Sequence, residues 1–288
     1  MAASMFGIAF ANSGPFARPE NAAMLAEHAE RVGFESLWTV EHVVIPKAYA
    51  SVYPYDASGR APAAETADIP DPLIWLAYVA GRTTRLRLGT GILILPQRSP
   101  LVLAKEVASL AQLAEGRVML GIGSGWLREE FDALGIAFDD RGARTDDHIT
   151  ALRTIWRDGR EGATHHSAFT NFDRCISLPT PPGGSVPIIV GGHTARAARR
   201  AGELGDGFFP GKGSPAELAA LLATMRAAAE RAGRDPSVIE LTTGAGDADT
   251  MVELRRMGFT RFVVPPPTYN LAKLPDALER RAAMLGVG

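Results

Sequence analysis

The sequence predicts a single (β/α)8 barrel that spans residues 1–288. Short apolar segments rich in β-forming residues alternate with segments of helical periodicity, and this alternation occurs eight times along the chain. No linker rich in Gly, Ser or Pro divides the chain. Such alternation is typical of parallel strands covered by helices on both faces. Eight units in a chain of 288 residues favour a closed barrel over an open sheet.

The predicted strands are short apolar runs, and each is followed by a predicted helix. The strands are MFGIAFA (5–11), SLWTV (36–40), LRLGTGILIL (86–95), RVMLGIG (117–123), PIIVGG (187–192), GFFPG (207–211), VIELTTG (238–244) and RFVVP (261–265). The helices are predicted over 20–33, 71–83, 100–116, about 127–156, 194–205, 214–233, 247–258 and a tail from about 274. Ranges 43–70 and 159–186 fit neither pattern. We interpret them as insertions after the second and before the fifth barrel strand.

Local signals support the helix boundaries. The first helix repeats apolar residues at helical spacing, and Gly33 provides a stop signal. Pro100 suits the first turn of the third helix, because the N–H group that proline lacks has no intrahelical partner there.

The composition is that of an ordinary globular protein. Hydrophobic residues make up 46%, charged residues 22%, and the formal net charge is −2, with no basic block that would suit nucleic acid. One cysteine, Cys175, excludes an internal disulfide framework and fits a reducing compartment. The N-terminus lacks the pattern of a signal peptide, and no apolar run approaches the ~18 residues of a membrane span. We therefore expect a cytoplasmic protein with no nucleic-acid or membrane partner.

The second predicted strand ends in the pair Glu41–His42, within LWTVEHVVIP. Active sites of (β/α)8 barrels lie at the carboxyl ends of the strands. Both side chains are therefore expected at the barrel mouth. Imidazole titrates near neutrality, so His42 with Glu41 is a candidate acid–base pair. The alternative is a hydrogen-bonded turn histidine beside a solvated glutamate.

Other strand ends are rich in small residues that would let a flat ligand approach the backbone. The third strand carries Thr90, Gly91 and Ile92, and the fourth ends in Gly123, Ser124 and Gly125. The alternative is tight strand–loop geometry alone. Neither stretch is a dinucleotide-binding fingerprint, because GIGSGW lacks the third glycine of that motif.

The fifth strand leads through Gly191, Gly192, His193 and Thr194 directly into a helix. The free N–H groups of a helix N-terminus, aided by the helix dipole, can bind a phosphate. Capping of the helix by Thr194 is compatible with this function.

These stretches together resemble the bacterial luciferase-like superfamily, and within it the branch of F420-dependent oxidoreductases. The matching segments are LWTVEHVVIP, RLRLGTGILILPQRSPLVLAKEVASL, GRVMLGIGSGWLREEFDALG with RGARTDDHI, and PIIVGGHTARAARRAGELGDGFFP. They extend over most of residues 6–265.

The resemblance implies roles for particular residues. Glu41 and His42 would border the deazaflavin ring, with the histidine as acid or base, and Gly91–Ile92 would form a cis peptide behind the ring. The GGHT segment would hold the cofactor phosphate. Lys212 resembles a lysine that contacts substrate phosphate in sugar-phosphate-oxidising relatives. Those relatives have a glutamate where this chain has Trp126, so their reaction is not carried over.

Three functions remain open at this point. The first is an F420-dependent hydride-transfer oxidoreductase acting on a small molecule. The second is an FMN-dependent monooxygenase of the same superfamily, and the third is a non-catalytic barrel that only binds a flavin. We also expect a homodimer and no metal site. The adjacent pair His165–His166 lacks an evident third ligand and is expected on the surface. Lys212 is expected to contact the cofactor tail, with a substrate anion site or a solvated charge as alternatives.

The long first insertion is expected to act as a lid over the mouth. Range 43–70 is too long for an ordinary βα loop. Its Tyr49, Tyr53 and Tyr55 would offer aromatic walls to an apolar substrate. The alternative is a loop that packs on a neighbouring subunit.

Overall fold

Eight of the described strands pair in parallel and close into a barrel, which confirms the predicted fold. The structure is a computed structural model that describes residues 4–61 and 65–287. Its strands are β1 (Met5–Ile8), β2 (Ser36–Thr39), β3 (Arg87–Thr90), β4 (Leu93–Ile94), β5 (Val118–Gly123), β6 (Ala163–His166), β7 (Asn171–Cys175), β8 (Ile188–Gly191), β9 (Gly207–Phe209), β10 (Glu240–Gly244) and β11 (Arg261–Val264). Around the barrel the order is β3, β2, β1, β11, β10, β9, β8, β5 and back to β3.

Helices follow the barrel strands, as the hydrophobic periodicity predicts. They are α1 (Pro19–Arg31), α2 (Pro72–Ala80), α3 (Pro100–Leu113), α4 (Arg128–Ala133), α5 (Arg141–Asp158), α6 (Ala195–Leu204), α7 (Pro215–Arg231), α8 (Ala248–Met257) and α9 (Leu274–Leu285). Several have polar N-caps. Asp71 accepts hydrogen bonds from the first turn of α2, and Ser214 forms a capping box with Glu217 at α7. No helix in the described part of the chain is both long and apolar enough to cross a membrane.

Two predicted elements are divided in the structure. The third predicted strand is interrupted by a cis peptide bond between Gly91 and Ile92, so that β3 and β4 are separate. This cis bond is the one that the family resemblance implies. The helical segment predicted over about 127–156 is helical but divided, because α4 ends before Gly135, which has a positive φ of 69°. A second helix, α5, then begins at Arg141.

The second insertion contains structure that the sequence pattern did not reveal. Strands β6 and β7 form an antiparallel hairpin that lies against α5. Nε2 of His165 lies 2.7 Å from Oδ1 of Asp147 on that helix. The expectation that His165 is a surface residue is therefore wrong, since it forms a polar contact between the hairpin and the barrel. His166 is exposed, as expected.

The barrel interior is filled by side chains. Trp38 of β2 is almost fully buried there with Met119, Ile189 and Val263. A Cβ atom at Gly89 would lie only 2.8 Å from the Trp38 ring, which explains why glycine occupies this strand position. The interior is thus a packed core, and space for a ligand is confined to the carboxyl ends of the strands.

Candidate active site

The predicted site residues follow the ends of five neighbouring barrel strands. His42 follows β2, Gly91 follows β3, Ser124 follows β5, His193 follows β8 and Lys212 follows β9. These strands are consecutive around the barrel, with pairings from β2 to β3, β5, β8 and β9. The fold therefore brings the predicted residues to one side of a single rim.

His42 is fixed by a carboxylate from another element. Its Nδ1 lies 3.0 Å from Oε2 of Glu130, a fully buried residue of α4. The other oxygen of Glu130 accepts hydrogen bonds from the backbone N–H groups of Val43, at 2.7 Å, and Val44, at 3.3 Å. Because this carboxylate acts only as an acceptor, we assign the Nδ1 proton to His42. Nε2 is then the ring nitrogen that can exchange a proton with a ligand.

Glu41 does not share the environment of His42. Its carboxylate is buried and accepts hydrogen bonds from the backbone N–H of Ile94, at 2.5 Å, and from the guanidinium of Arg98, whose Nε lies 3.0 Å away. Arg98 also binds Asp71, at 2.7 Å. Burial raises the pKa of Glu41, and the positive charge of Arg98 opposes that rise. This placement differs from the expected Glu41–His42 pair, since the carboxylate that meets the imidazole belongs to Glu130.

The small residues at the strand ends make room for one side chain. A Cβ atom at Gly123 would lie 2.2 Å from Cδ1 of Ile92, and one at Gly191 would lie 2.6 Å from its Cγ2. Ile92 thus packs against the ends of β5 and β8. Thr90 is also engaged, because its hydroxyl donates to the carbonyl oxygen of Gly121 at 2.6 Å. These glycines therefore shape a floor around Ile92, in addition to any role in contact with a ligand.

Ser124 and Gly125 connect this floor to a group of arginines. The hydroxyl of Ser124 accepts a hydrogen bond from Nη1 of the buried Arg200 at 3.1 Å. The carbonyl oxygen of Gly125 accepts one from Nε of Arg141 at 3.2 Å. The β5 end is therefore supported by cationic side chains from α5 and α6.

The segment between β8 and α6 has the features of an anion-binding loop. Thr194 caps α6, because its hydroxyl oxygen accepts from the backbone N–H of Ala197 at 3.2 Å. Gly192 has a positive φ of 122°, a conformation that favours glycine. Nδ1 of His193 is buried and has no hydrogen-bond partner among the described residues. A buried polar atom without a partner at a helix N-terminus fits a site for an anionic group.

Aromatic rings from the first insertion and from the loop after β5 cover this rim. Trp126 meets His42 edge-on, with ring centroids 5.8 Å apart, and Tyr53 lies 5.1 Å from Trp126. Tyr55 lies 5.5 Å from Tyr53 and 4.8 Å from His193. The rings form a continuous series, which we call the aromatic bridge, from the end of β2 to the end of β8. Burial raises the pKa of Tyr55 to about 12, so its phenol is neutral at physiological pH.

Tyr49 and Lys212 flank the aromatic bridge at its two ends. Tyr49 is buried and packs edge-on against Trp126, with centroids 5.6 Å apart. Nζ of Lys212 lies 5.8 Å from the centroid of the Tyr55 ring. The lysine thus lies at the end of the bridge nearest the anion-binding loop.

Glu129 and Glu130 contribute to the site, although the sequence pattern did not predict them there. Glu129 accepts hydrogen bonds from the backbone N–H groups of Ala50, at 2.6 Å, and Ser51, at 3.1 Å. Both glutamates of α4 thus hold the first insertion, and Glu130 also orients His42. A sequence signal existed, because two adjacent carboxylates follow a glycine-rich strand end in GWLREEF. Their partners, however, are about 80 residues away in sequence.

Comparison with known proteins places these features in a family context. A family model described as luciferase-like monooxygenase matches residues 5–248. An F420-dependent glucose-6-phosphate dehydrogenase of Kineococcus radiotolerans is 33% identical over 236 residues, which cover 78% of this chain and 62% of that protein.

Solved structures show the same fold. The structure of an F420-dependent secondary alcohol dehydrogenase with an F420–acetone adduct has a TM-score of 0.78 at 18% identity, covering 97% of this chain and 98% of the other. The FMN complex of the oxygenating constituent of a 3,6-diketocamphane monooxygenase from Pseudomonas putida has a TM-score of 0.66 at 21% identity, covering 99% and 78%.

Proposed function

The chain belongs to the luciferase-like monooxygenase family, and we propose that it is an F420-dependent oxidoreductase in which His42 exchanges a proton with a small organic substrate. The observation that carries this proposal is the contact between Nδ1 of His42 and the buried Glu130, at 3.0 Å. It leaves Nε2 available for proton transfer at the barrel mouth. A barrel that only binds a flavin would not require a histidine oriented in this way.

Each of the rim residues described below has a different function in the proposed reaction. When bound, the deazaflavin supplies hydride transfer. His42 gives a proton to a substrate that is reduced, or takes one from a substrate that is oxidised. Glu130 holds the imidazole in one orientation, and the aromatic bridge limits access of water to the mouth. We assign Glu41 to positioning, because its bonds to Ile94 and Arg98 hold the segment after the cis peptide.

The residues present fit an anionic cofactor. The unpartnered Nδ1 of His193 and the N-terminus of α6 suit a phosphate group. We propose that Thr90, Gly91, Ile92, Gly123, Ser124 and Gly125 border the ring, and that Gly191, Gly192, His193, Thr194 and Lys212 hold the phosphate-bearing side chain. The similarity to an F420-dependent dehydrogenase supports F420 over FMN.

We further propose that the protein is a homodimer that associates through α2. This helix, PLIWLAYVA, contains no charged residue. Ile74 and Tyr78 project from it with exposures of 73% and 42%. A helix that is apolar on all sides is usually covered. Light scattering should show a dimer, and Ile74→Asp should shift it toward the monomer. A wild-type monomer at micromolar concentration would contradict this proposal.

Titration of the purified protein with F420 and with FMN, followed by ring fluorescence, tests the proposed cofactor. We expect F420 to bind at least about tenfold more tightly, which corresponds to ~1.4 kcal/mol. Equal or reversed affinities would favour the FMN-dependent monooxygenase instead.

A further inference from the structure

We propose that Arg141 and Arg196 form a second anion subsite, which binds carboxylates on the cofactor side chain beyond its phosphate. This inference rests on the proposed use of F420. The observation behind it is that two guanidinium groups, which form no salt bridge among the described residues, lie beside the residues proposed to hold the cofactor.

The geometry brings cationic groups of α5 and α6 together at Gly142. A Cβ atom at Gly142 would lie 3.6 Å from Nη1 of Arg196 and 3.7 Å from Nη2 of Arg200. Arg196 is the second residue of α6, two positions after the cap Thr194. Arg141 reaches the same region from α5 through its hydrogen bond to the carbonyl oxygen of Gly125, at 3.2 Å.

The nearby aspartates are paired with other arginines. Asp139 binds Arg128 at 2.6 Å, and Asp140 binds Arg144 at 2.9 Å. Asp146 binds Arg200. Within the described residues, Arg141 and Arg196 form no salt bridge. No carboxylate is therefore paired with Arg141 or Arg196 among these residues, although the charge of Asp139 partly offsets that of Arg141.

The positions of these two charges are unfavourable without an anion. A cation at a helix N-terminus opposes the helix dipole, and the first turn of α6 contains no acidic residue. Burial, together with the like charges of Arg128 and Arg196, lowers the pKa of Arg141, and the negative charge of Asp139 opposes that fall. The guanidinium of Arg141 is nevertheless held in place, because it stacks on the Phe138 ring at 3.7 Å from the centroid. A bound carboxylate would relieve the repulsion and accept paired hydrogen bonds from a guanidinium.

This subsite would distinguish between the two candidate cofactors. The side chain of FMN ends in a phosphate, whereas that of F420 continues past its phosphate through a lactyl group to glutamyl residues that carry carboxylates. Arg196 follows the phosphate loop directly in the chain, so a carboxylate located just past the phosphate could meet it. The subsite would thus contribute only to cofactors with such an extension.

The test compares F420 with several glutamyl residues against the form that ends at the phospholactyl group, with binding measured by ring fluorescence. We expect the wild-type protein to bind the glutamylated form about three- to tenfold more tightly, as a few exposed charge pairs would provide. Arg196→Gln should reduce that ratio to about one and change the affinity for the shorter form by less than about twofold. Raising the salt from about 50 to about 500 mM should also reduce the wild-type ratio, because the contacts are exposed.

Arg199→Gln is the matched control. It removes the same charge from the same helix, at an exposed residue that does not meet Gly142, and it should preserve the ratio. Equal affinities of the wild type for the two forms would overturn the inference while leaving the proposed cofactor intact. An equal loss for both forms in Arg196→Gln would overturn it as well, by assigning Arg196 to the phosphate. If neither form binds and FMN does, the proposed function itself fails and the inference fails with it.

Discussion

Nδ1 of His42 lies 3.0 Å from Oε2 of Glu130, although the two residues are 88 positions apart in sequence. The same carboxylate also binds the backbone directly after His42, through Val43 and Val44. One buried side chain thus fixes both the ring and the chain that carries it. The barrel makes this contact possible, since β2 and β5 end at the same rim and α4 follows β5 directly.

His42→Ala should reduce turnover by about 10²- to 10⁴-fold if the imidazole transfers a proton. Cofactor affinity should stay within a few-fold, because the proposed phosphate contacts follow β8 and β9, whereas His42 follows β2. Steady-state kinetics and cofactor titration measure the two effects separately. His166→Ala, which removes an exposed histidine of the hairpin, should change neither turnover nor cofactor affinity. Normal turnover of His42→Ala would assign His42 to a structural role.

Glu130→Gln should change the tautomer of His42 without removing the side chain that holds it. The carboxylate accepts a hydrogen bond from the Nδ1–H group, whereas an amide N–H can donate to Nδ1 and so favour a proton on Nε2. Ring ¹⁵N chemical shifts at alkaline pH should show Nδ1 protonated in the wild type and a shift toward the other tautomer in the variant. We expect turnover to fall about tenfold or more. An unchanged tautomer with unchanged turnover would contradict the positioning role.

The sequence predicted the barrel because its signals are local. Each strand is a short apolar run, and the periodicity of each helix depends on residues three and four positions apart. The same reasoning located His42 and the GGHT segment, since the strand ends follow directly from the strands.

The acid partner of His42 could not be predicted in this way. Glu41 is adjacent to His42 in sequence, but neighbouring residues at a strand end point in different directions, and Glu41 turns to Ile94 and Arg98. Glu130 comes from another βα unit, so its contact depends on tertiary packing. The hairpin of β6 and β7 was missed for a different reason. Its two strands are short and mostly exposed, so they lack the apolar pattern that predicts a buried strand.

Glu129→Gln should loosen the first insertion while leaving the barrel folded. Contact with the Ser51 side chain and hydrogen bonds from the N–H groups of Ala50 and Ser51 lower the pKa of Glu129 to about 2, below its ordinary value of 4.5. A lowered pKa means that the ionised form stabilises the fold above pH 4.5, and that this contribution is lost as the pH falls toward 2. Amide exchange at Ala50 and Ser51 near neutral pH should therefore be faster in the variant. Asp132→Asn on the same helix is the control. Equal exchange rates at Ala50 and Ser51 in the two variants would show that Glu129 does not hold the first insertion.

His193 should take up a proton when an anion binds beside it. Burial and the charge of Lys212 lower its pKa from 6.5, so the folded protein without a ligand disfavours the charged imidazole. In the protein without a ligand, His193 therefore decreases the free energy of unfolding as the pH falls below 6.5, because the unfolded chain binds more protons than the folded chain. A phosphate next to Nδ1 would reverse this preference. Calorimetry near pH 6 in buffers of different ionisation enthalpy should show proton uptake on cofactor binding, and His193→Asn should abolish it. Uptake that persists in the variant would assign the proton to another group.

Lys212→Ala should weaken F420 binding by more than about twofold if its ammonium group contacts the cofactor side chain. Nζ lies 5.8 Å from the centroid of the Tyr55 ring, at the end of the aromatic bridge where His193 is located. Burial and the charge of Lys212 lower the pKa of His193, and hydrogen bonds from Ser58 together with the charge of Lys212 lower the pKa of Asp56. Lys212 therefore lies within electrostatic reach of both the anion-binding loop and the first insertion. A substrate anion site predicts a higher KM with unchanged cofactor affinity, and a solvated charge predicts neither effect. Lys273→Ala removes an exposed lysine near the C-terminus and serves as the control. Because each alternative changes a different measured constant, F420 affinity within twofold of the wild type would exclude the cofactor contact.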